Sequence, residues 1–183
     1  MSNILFATIN KRKFDKAKKI VDQTEVNLER VDFDFEEIQS KSGKKIALHK
    51  VRQAYNFFKK PLIVSDDIWD IPALNGFPGS YMKEVNEWFG AEDWLNLMKD
   101  KTNRKIKLIS NVVYKDEKRE KFFSIESERY FISNQRKIFS NDGLLDIIAL
   151  KGSRIVISEM IEQGNYFEES NDKFWRKIAK EVA

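Results

Sequence analysis

Pro61-Leu62-Ile63-Val64-Ser65-Asp66-Asp67-Ile68-Trp69-Asp70 sets three bulky apolar residues behind a proline and ahead of two acids. The apolar triplet is too short for a helix and reads as a buried strand, with Pro61 ending the segment before it. Carboxylates just past the C-terminal end of a buried strand lie where open α/β sheets hold their ligands. Gly and Pro cluster in Ile71-Pro72-Ala73-Leu74-Asn75-Gly76-Phe77-Pro78-Gly79-Ser80-Tyr81-Met82-Lys83, so Asp66 to Ser80 is expected as a loop.

Upstream, Gly43 to Lys60 places Ile46, Ala47, Val51, Ala54, Tyr55 and Phe58 on one helical stripe. Val26 to Phe35 alternates apolar and polar residues and reads as a strand. Asn3 to Thr8 holds the apolar run Ile4-Leu5-Phe6-Ala7, another buried strand, and a helix follows Asn10 with Phe14, Ala17, Ile20 and Val21 in phase. Downstream, Ala91 to Lys99 is expected as a helix. Lys105 to Tyr114 and Lys121 to Ile132 form a hairpin turning at Lys115-Asp116-Glu117-Lys118, and Asn141-Asp142-Gly143 is a further turn. Glu168 to Val182 is a C-terminal helix. Helices alternate with strands early and a hairpin comes late, which predicts a mixed sheet with helices on its faces. With 183 residues and no linker or repeat, the chain is expected to be a single domain over 1–183.

Composition removes several chemistries. The chain has no cysteine and one histidine, His49. Disulfides, thiolate nucleophiles, cysteine zinc sites and two-histidine metalloprotease helices are therefore excluded, and a Ser-His-Asp triad would have to run through His49. Any metal is expected on oxygen ligands. His49 lies on a helix and reads as a structural or solvent-facing side chain. No apolar run reaches the roughly 18 residues of a membrane span, and the N-terminus lacks a signal-peptide pattern, so a cytoplasmic protein with no membrane partner is expected.

The net charge of +4 conceals an uneven distribution. Residues 11–19 hold six cations opposed only by Asp15, and residues 38–65 hold seven cations and no acid. From Asp66 to Asp93 there are seven acids and one cation, Lys83. Cations on helices ordinarily line a solvated face. A phosphate site beside a metal site uses the same ingredients: Lys and backbone N–H groups at a helix N-terminus, and carboxylates for magnesium.

Four motifs carry this chemistry. Thr8-Ile9-Asn10-Lys11-Arg12-Lys13 sits at a strand-to-helix junction, where Asn10 is also a good N-cap. Phe35-Glu36-Glu37-Ile38-Gln39 puts two carboxylates at a strand end. Lys50 lies on the helix with Ala47 and Ala54. The fourth is the acidic stretch from Pro61 to Lys83, in which Asp66 and Asp67 would hold a magnesium ion or take a proton from water.

In this order, the motifs resemble those of the inosine triphosphate pyrophosphatase family, which removes non-standard purine nucleoside triphosphates. That family opens with Thr-x-Asn-x-x-Lys, matched by Thr8, Asn10 and Lys13. Its Glu before a Lys-bearing helix is matched by Glu37 and Lys50. An acidic pair and Ala-Leu-x-Gly-x-Pro-Gly-x-Tyr follow, matched by Ala73 to Tyr81 with Lys83 two residues on. The match covers residues 1–85. Two registers of the acidic pair are open: Asp66-Asp67 counted from the strand, or Ser65-Asp66 counted back from Pro78-Gly79. Asp66 is acidic in both.

Later the chain departs from the family. The base-pocket Gly-Tyr-Asp-Pro keeps only Asp146, within Leu144-Leu145-Asp146-Ile147. Gly152 and Ser158-Glu159-Met160 resemble the family's Gly and Ala-Glu-Met. The Ser-His-Arg of the C-terminal helix becomes Phe174-Trp175-Arg176, which replaces a base-reading His with an indole that offers a stacking surface or a core or interface residue. Trp69 stands where the family has small residues.

The resemblance implies an α/β fold with a mixed, elongated central sheet and flanking helices in two lobes with a cleft between them. It implies hydrolysis of a non-standard or modified (deoxy)nucleoside triphosphate to the monophosphate and pyrophosphate, with magnesium, or manganese in its place. Glu37, Asp66 and Asp67 would hold the metal, and one of the aspartates would be the base. Thr8, Asn10, Lys13, Lys50 and Lys83 would bind the phosphates, and Asp146, Trp175 and Arg176 the base. The family forms homodimers, and Trp88, Phe89 and Trp94 suit an interface or a core. Two rival functions are a nucleotide-binding homologue without catalysis and a nucleic-acid-binding protein using the basic helices. The acids beside those helices oppose the second, because they would repel a phosphate backbone.

Overall fold

The computed structural model of the chain describes residues 2–131 and 143–183. Its elements are β1 (Ser2–Ala7), α1 (Lys11–Val21), β2 (Val26–Val31), α2 (Gly43–Phe58), β3 (Leu62–Asp70), a 3₁₀ turn (Pro72–Leu74), β4 (Pro78–Gly79), α3 (Met82–Trp88), α4 (Ala91–Leu97), β5 (Lys105–Lys115), β6 (Glu120–Phe131), β7 (Ile148–Leu150), α5 (Ile157–Glu162) and α6 (Glu169–Val182). Among the described residues the strands pair in the order β2-β1-β3-β5-β6-β7, and β4 pairs with β3. β1 runs parallel to β2 and β3, whereas the β3–β4 and β6–β7 pairs are antiparallel. The fold is the mixed α/β type expected. Among the described residues no helix is long and apolar enough to cross a membrane.

The chain forms two compact units. The first comprises Met1–Asp67, Ser110–Ile125 and Glu168–Ala183, and the second Ile68–Ile109 and Glu126–Phe167. In the first, alternation along the strands serves two cores. Ile4, Phe6 and Ile63 turn to α1 and α6, where Ala17, Ile20, Phe174, Trp175 and Ile178 bury. Leu5, Ala7, Leu62 and Val64 turn the other way and pack on Ala47, Val51 and Ala54 of α2. The second unit has its own core, with Trp94, Met98, Ile106, Leu144 and Ile148 fully buried.

Several expectations are corrected. β2 ends at Val31 rather than Phe35, because its ladder with β1 closes at Ala7↔Val31. Phe33 and Phe35 still pack against the α2 core from a segment without regular structure. β3 does not stop at Val64 but continues to Asp70, where Trp69 and Asp70 pair with Gly79 and Pro78. The acids therefore lie on a strand and not in a loop. Between β3 and β4 the chain turns through Asn75 at φ 55° and Gly76 at φ 89°, a backbone that favours those two residue types.

The helices α3 and α5 and the short strands β4 and β7 have no counterpart among the sequence expectations. Of the expected hairpin, Ile132 lies outside the described residues, as do Asn141 and Asp142 of the later turn. Gly143 packs so closely on Gly90–Ala91 that an added Cβ would lie 2.6 Å from Ala91 N. Trp94 is a core residue, whereas Trp88 is exposed.

Candidate functional site

Helix α1 begins with a local arrangement that the sequence dictates. Thr8 follows β1 and is tied to β2 by its N–H, which donates to the Val31 carbonyl at 3.0 Å. Its Oγ1 accepts from Asn10 N at 3.1 Å, and Asn10 Oδ1 accepts from Lys13 N at 3.1 Å, so Asn10 is the N-cap. This places Lys13 in the first helical turn with its ammonium 2.9 Å from Asp67 Oδ2.

The second arrangement centres on Lys50. This residue is buried on α2, which starts at the Ser42 cap. Its Nζ stands 2.8 Å from Asp66 Oδ1 and 2.9 Å from Glu37 Oε1, and 5.7 Å above the Phe35 ring. One ammonium thus serves two carboxylates, one nearly buried and one half exposed.

β3 separates the two acids. Leu62, Val64 and Asp66 share the α2 side, and Ile63 and Asp67 the α1 side. Glu37 and Asp66 meet at Lys50, and Asp67 is not with them. Among the described residues no three carboxylate or imidazole side chains gather as a metal site.

The two aspartates are tuned in opposite directions. Burial pushes the Asp66 carboxyl above the usual carboxylate range, and the shared Lys50 does not offset it. Burial would push Asp67 up as well, but the Lys13 ion pair, a hydrogen bond from Ser110 and the charge of Lys16 hold it below the ordinary value. Burial would depress Lys50, yet Asp66 and Glu37 together raise it, so its ammonium form is secure.

The other expected residues lie elsewhere. Lys83 is exposed on α3, and Asp146 is fully buried, both in the second unit. Trp175 is only 6% exposed, with its ring 5.7 Å from Phe6 and 6.3 Å from Phe174. It fills the first unit's core and offers no open stacking face. Arg176 is exposed, and its guanidinium is held by Asp172 and Gln23, each at 2.7 Å.

Sequence reasoning missed Ser110, Phe35 and Gln53. Phe35 reads in the sequence only as the end of a strand. Gln53 carried a faint signal, since it lies one helical turn beyond Lys50 and His49.

The model of the Ham1 family matches residues 4–137. A dITP/XTP pyrophosphatase of Methanopyrus kandleri is 41% identical over 111 residues, which is 61% of this chain and 59% of that protein. An inosine triphosphate pyrophosphatase of Schizosaccharomyces pombe is 38% identical over 90 residues, 49% of this chain and 44% of that protein. The chain thus spans less than two thirds of the length of these curated relatives. A HAM1 protein from Coxiella burnetii shares the fold, with a TM-score of 0.79 and 15% identity over 100% of this chain and 98% of that one.

Proposed function

Because this chain belongs to the Ham1 family, we propose that it hydrolyses a non-canonical purine (deoxy)nucleoside triphosphate to the monophosphate and pyrophosphate. One observation carries the reading: Glu37 and Asp66 converge on the buried Lys50, while Lys13 stands at the N-terminus of α1. The family relatives named as dITP/XTP and inosine triphosphate pyrophosphatases support the substrate class.

Glu37 and Asp66 offer hard oxygen donors side by side, which fits magnesium or manganese in donor type, while the Lys50 ammonium between them is a charge with which a bound ion would have to share them. These two residues would hold the ion, and when bound it supplies charge neutralisation on the triphosphate oxygens. Asp67 is committed to Lys13 and is left out of this set.

Asp66 is the general base. Water oxygen bonds to the α-phosphorus, the bond from that phosphorus to the bridging oxygen breaks, pyrophosphate leaves, and a water proton passes to Asp66. Before a metal binds, burial holds the Asp66 carboxyl above the usual carboxylate range, which makes it the better proton acceptor of the two, whereas Lys13 holds Asp67 below that range. Lys13 and the N-terminus of α1 receive phosphate oxygens, and Lys50 balances the two carboxylates. Asp67 keeps Lys13 in place. From the family pattern alone, Lys83 is assigned to the phosphates and Asp146 to the base, and the chain to a cytoplasmic homodimer acting as a single domain.

Pyrophosphate release from dITP, XTP, ITP and the four standard triphosphates, with and without magnesium, tests the reading. Turnover of the deaminated nucleotides that needs the metal supports it. Absence of turnover on the whole panel overturns it.

A further inference from the structure

Glu37 is brought to Lys50 by a segment without regular structure, so something outside a strand ladder must fix that backbone. Gln53 of α2 does so. Its Oε1 accepts from the Glu36 N–H at 3.1 Å, and its Nε2 donates to the Glu36 carbonyl at 2.7 Å. A single side-chain amide thus satisfies both backbone groups of one residue, as a neighbouring strand would. The same Nε2 lies 2.7 Å from His49 Nδ1.

The roles in this chain are fixed by valence. A backbone N–H only donates and a backbone carbonyl only accepts, so the amide must face with its oxygen to the Glu36 N–H and its nitrogen to the Glu36 carbonyl. The second Nε2 hydrogen then points to His49, whose Nδ1 must carry no proton. We propose that Gln53 is a positioning residue for Glu37, clamping the backbone of Glu36, and that His49 orients the clamp by accepting from Gln53 through an unprotonated Nδ1. The histidine is thereby neither a catalyst nor an idle surface group.

In building Glu37 into a metal-holding pair, this inference rests on the pyrophosphohydrolase reading, but its test does not need turnover. The protein has one histidine, so its ring nitrogens are read without ambiguity by nitrogen NMR. At alkaline pH the wild type shows proton on Nε2 and none on Nδ1. In Gln53→Ala that preference relaxes to a mixture, the Glu36 amide exchanges about tenfold faster, and the magnesium dissociation constant, read from the Glu37 amide shift on titration with magnesium chloride, rises about tenfold, as expected for losing two ordinary hydrogen bonds. Gln53→Glu keeps the packing and the acceptor for the Glu36 N–H but loses both donors, so Glu36 exchange stays near wild type while the Nε2 preference of His49 is lost and the magnesium dissociation constant rises, which separates the clamp from misfolding. His49→Asn presents an acceptor where Nδ1 stood and restores near wild-type exchange and affinity, whereas His49→Leu does not. Unchanged Glu36 exchange in Gln53→Ala overturns the clamp. Faster exchange with unchanged magnesium affinity overturns the positioning role. Pyrophosphate release by the wild type is measured alongside, and its absence defeats the proposed function while leaving these arms to decide the clamp.

Discussion

Asp66 and Asp67 are adjacent in the chain yet face opposite sides of β3, Asp66 reaching Lys50 of α2 at 2.8 Å and Asp67 reaching Lys13 of α1 at 2.9 Å. The pair reads as one motif in sequence, but strand alternation makes it two sites with opposite tuning.

This separation predicts unlike variants. Asp66→Asn is expected to lower kcat for pyrophosphate release by at least about 100-fold, the usual contribution of a positioned base. Asp67→Asn loosens Lys13 and is expected to raise KM about fivefold, in line with about 1 kcal/mol for a partly exposed ion pair, with little loss of kcat. Steady-state kinetics on dITP with both folded proteins checks this, and equal loss of kcat in the two variants contradicts it.

The pH profile follows from the direction of the Asp66 shift. A base must be deprotonated, so activity is lost as pH falls through its folded-state pKa. Because burial raises that value before the metal binds, the acid limb of kcat/KM at subsaturating magnesium should lie above the roughly 3.9 of an ordinary aspartate. An acid limb at the ordinary value would remove Asp66 from this role.

Lys50→Met leaves Asp66 and Glu37 without their shared cation. Breaking a buried pair from one side costs about 3–5 kcal/mol, which urea denaturation at neutral pH would measure. Burial and the missing ammonium both raise the Asp66 pKa, and a group with a raised folded pKa stabilises the fold as pH falls. The deficit should therefore shrink in mildly acidic solution. A deficit independent of pH would mean that the carboxylates are not its source.

Trp175→Ala is expected to cost about 3–5 kcal/mol, as for other large-to-small changes in a packed core. Trp175→Phe should leave the ratio of kcat/KM for dITP over dGTP unchanged, because the ring packs on Phe6 and Phe174. A change in that ratio would place the indole at the base.

In the second unit, Lys105 and Tyr130 hold the Glu128 carboxyl down to about 2 from 4.5. A depressed acid stabilises the fold above its unfolded value and loses that contribution as pH falls through its folded one. Wild type should therefore lose stability between 4.5 and about 2, and Glu128→Gln should lack that component. Denaturation midpoints measured across the acid range decide this.

Much of the first unit was legible because its signals are local. Asn10 caps α1 as an Asn before a helix should, and the apolar stripe of α2 buries Ala47, Val51 and Ala54 as its period requires. The Gly and Pro cluster that marks Asp66 to Ser80 as a loop punctuates only its later part, and Asp66 and Asp67, poor strand formers themselves, give no sign that β3 runs on to Asp70. Pairing of Trp69 and Asp70 with β4 overrides that preference, and no local pattern records partners eight and ten residues ahead.

The sequence by itself determined the order of the motifs, and with it the family, because Thr8, Asn10, Lys13, Glu37, Lys50 and the Ala73–Tyr81 run stand at fixed spacings along the chain. Tertiary structure alone decided which acid meets which lysine, that Trp175 closes a core, and that Gln53 grips the backbone beside Glu37. Periodicity tells which residues share a face of one element. Which faces then meet depends on strand register and helix packing, and these are set by burying apolar surface across the whole unit.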